Sequence, residues 1–90
     1  MKTLKVIVEF FGDKRRTLPA AKYRPHFIVD GSTEMLGVEF TELNATAFDR
    51  KCAATVKTLY DGVDYSELKR GAHFSVVEGA TVVGKGYVSE

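Results

Sequence analysis

The sequence predicts an all-β domain, a small closed or nearly closed antiparallel β-barrel of about six strands, and three observations carry that expectation. Short runs alternating apolar and polar residues recur along the chain, separated by breaks rich in glycine and aspartate. No long window keeps the spacing of an amphipathic helix. The stretch from Ala72 to Val88 reads as a hairpin, with Glu78-Gly79-Ala80-Thr81 interrupting two β-branched runs. Closure spares so small a sheet its exposed edges.

Leu4 to Phe11 is the first expected strand, with Leu4, Val6, Val8 and Phe10 on the face opposite Lys5, Ile7 and Glu9. Gly12-Asp13 ends it, and Lys14 to Lys22 lacks alternation, as an exposed loop does. Tyr23 to Asp30 is the second strand, with Tyr23, Pro25, Phe27 and Val29 sharing a face. Pro25 has no N–H for a ladder and belongs at the strand's start or beside a gap in the pairing. Met35 to Glu42 is the third, with Leu36, Val38 and Phe40 alternating against Gly37, Glu39 and Thr41. Leu43 to Asp49 suits either a crossing loop or a helical turn capped by Asn44; the loop is preferred, with Phe48 tucked inward.

Lys51 to Tyr60 is the fourth strand, placing Cys52, Ala54, Val56 and Thr58 on one face. Asp61-Gly62 signals a turn, and Val63-Asp64-Tyr65 has the composition of a further short strand. In the hairpin, Phe74 and Val76 share one face and Ser75 and Val77 the other. Gly79 supplies the positive φ that a tight connection needs. Gly84 and Gly86, two apart, empty one face of the last strand for another backbone or a bulky neighbour. The expected lining is Val6, Val8, Phe27, Val29, Val38, Phe40, Val56, Phe74 and Val76.

Ninety residues, read as residues 1–90, make one domain. An apolar share of 44% with 28% charged excludes a disordered tail. A formal net charge of +1 provides no overall field to draw in nucleic acid or an acidic membrane. The one cysteine, Cys52, excludes an internal disulfide and a two-cysteine metal clip, and reads as a small core residue. No run approaches the ~18 apolar residues of a membrane span. The first segment carries Lys5 and Glu9 within its apolar run, so it reads as a strand and not a signal peptide, and the cytoplasm is the expected location. His26 and His73 have no serine, cysteine or aspartate at a catalytic spacing. Asp61, Asp64 and Glu67 lack the pattern of a calcium loop. Tyr60, Tyr65, Phe10 and Phe11 read as core or barrel-end packing. The expectation is no enzyme, no cofactor, no metal and no membrane.

Two motifs, in order, resemble the C-terminal β-barrel domain of elongation factor Tu. Tyr23-Arg24-Pro25-His26-Phe27 is similar to that domain's Tyr-Arg-Pro-Gln-Phe strand. Phe74-Ser75-Val76-Val77-Glu78-Gly79-Ala80-Thr81-Val82-Val83-Gly84-Lys85-Gly86-Tyr87-Val88 is similar to its closing Phe-Ala-Ile-Arg-Glu-Gly-Gly-Arg-Thr-Val-Gly-Ala-Gly-Val-Val hairpin. The likeness spans nearly the whole chain and implies the family's barrel. In that family the barrel follows a GTPase domain and a second barrel, packs on the GTPase domain and helps bind the T-stem backbone of aminoacyl-tRNA. No P-loop is present here, so the resemblance implies a freestanding relative without nucleotide chemistry. Lys22 replaces the family's glycine before Tyr-Arg-Pro, and His26 its glutamine. Val77 replaces an arginine and Thr81-Val82 an Arg-Thr pair, while Lys85 restores one charge where the family has alanine.

Lys14, Arg15, Arg16, Lys22 and Arg24 form the densest basic stretch, with Asp13 as its only local acid, whereas Asp30 to Glu67 carries most of the acids. An electrically lopsided molecule is expected. Those five cations and Lys85 are the candidate partner- or phosphate-binding residues, and Gly84 and Gly86 the candidate close-approach glycines. The expected function is a non-catalytic protein-binding module that docks through the basic loop and the C-terminal hairpin. The alternative is an RNA-binding module that sets Lys22, Arg24 and Lys85 against tRNA phosphates. RNA binding normally brings a charge excess and stacking aromatics on one face, so the near-neutral balance favours a protein partner.

Overall fold

Alternation turns one face of the sheet inward, and six strands close on themselves in the computed structural model, which describes residues 2–90. They are β1 (Thr3–Phe10), β2 (His26–Val29), β3 (Leu36–Leu43), β4 (Cys52–Thr58), β5 (His73–Glu78) and β6 (Thr81–Val88). The order around the barrel is β1-β4-β3-β2-β5-β6, every neighbouring pair is antiparallel, and β6 returns to β1. In that closing pair Val6 lies opposite Val88, Val8 opposite Gly86 and Phe10 opposite Gly84.

The interior is aromatic. Phe10, Phe27, Phe40 and Phe74 are all fully buried. Phe27 stacks on Phe74 with ring centroids 3.9 Å apart and meets Phe40 edge-on at 5.9 Å. Val6, Val8, Val38, Val56 and Val76 complete the lining, while Val29 is half-buried against it. Gly84 and Gly86 make room for the rings and for the closing strand. A Cβ on Gly84 would come within 2.5 Å of the Glu9 carbonyl oxygen and 3.2 Å of Phe10 Cδ1. One on Gly86 would overlap the Ile7 carbonyl oxygen and reach 3.0 Å from Phe74 Cζ.

Four details differ from the sequence reading, each for a local reason. Alternation in the hairpin assigns Val77 to the outer face, yet it is buried. The register shifts there: Val76 faces Gly84 but Val77 faces Val82, so Val83 is an extra residue that bulges β6 and turns both valines inward. Second, β2 starts at His26 instead of Tyr23, because Pro25 lacks an N–H. Pairing with β3 nevertheless continues on one side: Val38 N–H donates to the Pro25 carbonyl (3.2 Å) and Phe40 N–H to that of Tyr23 (2.9 Å). Third, Val63-Asp64-Tyr65 is not a strand. Leu68 N–H folds back to the Tyr65 carbonyl at 2.9 Å, and the Tyr65 hydroxyl, not its backbone, joins the sheet by donating to the Gly37 carbonyl at 2.6 Å. Fourth, Leu43 belongs to β3, which shifts register between Phe40 and Glu42; the loop that follows holds Phe48 half-buried against the core.

Antiparallel alternation sorts the loops. Those at 11–25 and 44–51, with the β5–β6 turn, cover one end of the barrel; those at 30–35 and 59–72 cover the other. The close approach of β6 to β1 sets a stability test. Gly86→Val should destabilise by about 1–3 kcal/mol through overpacking against the Ile7 carbonyl and Phe74, despite valine's higher strand propensity. Chemical denaturation measures it, and a neutral or stabilised variant would contradict the packing.

Candidate functional site

The loop at 11–25 lies across its barrel end as a tied strap. Tyr23 stacks on Phe40 at 5.6 Å and meets Phe10 edge-on at 6.0 Å, and both Pro19 and Pro25 are buried. Glu78, at the end of β5, accepts hydrogen bonds from the Tyr23 hydroxyl and the Arg15 guanidinium. Arg15 also lies 4.9 Å over the Tyr23 ring and donates from Nε to the Thr17 carbonyl at 3.0 Å. Burial, followed by the Glu78 carboxylate, pushes the Tyr23 phenol above its ordinary value.

Arg24 is tied on the outer wall. Its Nε donates to Glu39 Oε1 at 2.6 Å, and Lys57 Nζ stands 3.5 Å from Glu39 Oε2. Glu39 is nearly buried by these partners, and the Arg24 hydrogen bond first, then the Lys57 charge, holds its carboxyl below the ordinary glutamate value. Two of the five basic residues singled out by sequence are therefore engaged inside the molecule. Lys14, Arg16 and Lys22 are exposed and form no ion pair with any of the described residues.

Arg50 and Lys51, which the sequence reading did not include, join the same end on the loop between β3 and β4. Their signal is positional: in an antiparallel barrel this loop must return to the end that holds the basic strap. Lys14, Arg15, Arg16, Lys22 and Arg24 on one loop and Arg50 and Lys51 on the other face only two loop acids, Asp13 and Asp49. At the far end Asp30, Glu34, Asp61, Asp64, Glu67 and Glu90 outnumber Lys2, Lys69 and Arg70. The charge separation expected from sequence runs from end to end.

Lys85 is elsewhere. It projects from the outer wall of β6, in register with Glu9 and Ser75, and not from the basic end. There Lys51, His73, Lys85, Ile7 and Tyr87 surround a shallow depression of about 290 Å³, with Glu9 and Asp30 also on its margin. His73 and Tyr87 have ring centroids 5.4 Å apart, and Lys51 Nζ stands 6.0 Å from the Tyr87 ring. Cys52 is half-buried on the core, and burial raises its thiol above the ordinary value, which disfavours a nucleophilic thiolate. Among the described residues no group of three or more His, Cys, Asp or Glu side chains could hold a metal. None forms a helix long and apolar enough to cross a membrane. Comparison with protein-family models, curated proteins and solved structures finds no match.

Two measurements probe the ties. Glu39 is ionised more readily in the fold than in the unfolded chain, so its contribution is present above the unfolded value and is lost as pH falls through the folded one. Denaturation midpoints should fall on acidification from about pH 6 to about pH 2, and Glu39→Gln should flatten that fall; equal slopes in both proteins would rule Glu39 out. Lys22 holds φ at 74°, in the left-handed region, while its N–H donates to the Phe40 carbonyl at 2.8 Å. Lys22→Gly should relieve about 1 kcal/mol of backbone strain, read as a higher melting temperature, and a loss of stability would contradict this.

Proposed function

We propose that this chain is a non-catalytic, cytoplasmic docking module that binds an acidic protein surface through its basic end. One observation carries the reading: Arg15 and Arg24 fasten the strap internally, while Lys14, Arg16 and Lys22 remain exposed on it without ion-pair partners among the described residues. Charges held this way steer an oppositely charged partner and orient its approach. The turn of the C-terminal hairpin borders the same end, where Val82, 43% exposed, offers an apolar contact.

The reading includes kinship with the C-terminal barrel of elongation factor Tu, without its GTPase chemistry. What supports the kinship is the pair of motifs, carried here by a closed six-stranded barrel. Lys22 adds to it: the family's glycine stands where this backbone is left-handed, a conformation that glycine adopts freely.

A second reading, RNA binding, is favoured by the outer wall, where Tyr87 and His73 lie beside Lys51 and Lys85 as a base-stacking platform flanked by cations would. Glu9 and Asp30 share that wall and repel phosphate, which ranks it second. Capture from native lysate, with and without RNase, separates the two. Proteins captured through the basic end should survive RNase and be lost with Lys14→Glu/Arg16→Glu/Lys22→Glu, but not with Lys85→Glu. Capture abolished by RNase, or micromolar tRNA affinity at about 150 mM salt that falls steeply with further salt, would reverse the ranking.

A further inference from the structure

The two ends of the barrel are complementary to each other. One presents Lys14, Arg16 and Lys22, with Val82 exposed at the same end. The other presents Glu34, Asp64 and Glu67 near three exposed apolar side chains, Met35 (45% exposed), Tyr60 (53%) and Val63 (39%). Val63 is central to that acidic end, because it lines both the depression shared with Glu34, Asp64 and Glu67 and the one shared with Tyr60 and Tyr65. Large apolar side chains ringed by charge are the composition of a contact surface.

We propose that copies of this chain associate head to tail, the basic end of one seated on the acidic end of the next. The inference rests on reading the basic end as a docking surface, and it assigns the acidic end an occupant as well. Opposite charge brings the two ends together, and Val82 meets the apolar patch around Val63. Because the two surfaces differ, the contact is heterologous: a pair keeps one free end of each kind and can add further copies. A molecule measuring 33 × 24 × 22 Å has small ends, below the ~800 Å² per partner of a stable complex, so the association is weak and concentration-dependent. With a Debye length of about 8 Å at physiological salt, it also weakens as salt rises.

Sedimentation equilibrium on three proteins tests this: the wild type, a basic-end variant (Lys14→Glu/Arg16→Glu/Lys22→Glu) and an acidic-end variant (Glu34→Lys/Glu67→Lys). Val63→Lys, at an exposed position, serves as a second acidic-end variant should the first fail to fold. At low salt the wild-type average mass should climb with concentration up to about 1 mM, and it should return to that of the monomer at about 0.5 M salt. Each variant alone should remain monomeric. Their equimolar mixture should associate again, because each retains one native end and the reversed ends, acidic on one variant and basic on the other, also attract. A wild type that stays monomeric throughout, a mixture that fails to associate, or a variant that dimerises alone would overturn the proposal. Binding of a polyglutamate peptide, measured in parallel, separates this inference from the reading beneath it. Peptide binding that is lost only in the basic-end variant, beside a monomeric wild type, leaves docking standing and removes self-association. No peptide binding removes both. A wild type that binds polylysine through the acidic end but never itself likewise overturns the proposal in favour of a foreign basic partner.

Discussion

Everything in this molecule depends on β6 reaching β1. The contact joins residues from opposite ends of the chain, Val6 with Val88 and Phe10 with Gly84, and it turns an open sheet into a barrel. Side chains at Gly84 and Gly86 would collide with the carbonyls of Glu9 and Ile7, so the strand poorest in side chains is the one that closes the ring. The volume left by the two glycines goes to Phe10 and Phe74. Ring packing and strand closure are thus one device, and neither survives alone. A sheet whose first and last strands must meet is rich in non-local contacts, which makes for slow folding in a chain of this length.

Closure also decides where charge can go. The walls carry Lys5, Lys57 and Lys85 against Glu9, Glu39, Glu42 and Glu78, close to balance, and Lys57 pairs with Glu39 across strands. The imbalance is left to the loops, which antiparallel order divides strictly between the two ends. A net charge of +1 therefore conceals a strongly polar molecule. Even its shortest dimension, 22 Å, exceeds the ~8 Å screening length at physiological salt, so the two ends are screened from each other.

The sequence made the walls legible where burial follows the period-two rule. β1, β3 and β4 carry their inward residues as alternation places them, from Leu4 through Phe10 and from Leu36 through Phe40. It misled where pairing changes step. The bulge at Val83 turns Val77 inward, and no local pattern marks it, because Val76-Val77 and Val82-Val83 are each a pair of like residues. Val63 and Tyr65 have strand-like side chains but serve as turn and anchor, a role set by the distant Gly37 carbonyl. The basic stretch was legible as composition. Which of its cations are committed was not, because Glu78 lies 63 residues beyond Arg15 and Glu39 lies 15 beyond Arg24.

The division of labour among those cations follows from side-chain chemistry. Arg15 must satisfy a carboxylate, a carbonyl and an aromatic face together, which a planar guanidinium with several donors can do and a lysine ammonium cannot. Arg24 reaches along the wall to a carboxylate that is nearly out of water, and the more weakly hydrated guanidinium suits that place better. Lys14, Arg16 and Lys22 have no such task, but they benefit from it. A loop already fixed by Tyr23, Pro19, Pro25 and the two arginine ties would have less backbone freedom to lose in the proposed docking, so more of the attraction would appear as affinity. In the proposed docking the paired arginines would contribute without touching the partner: they set the positions of the unpaired cations.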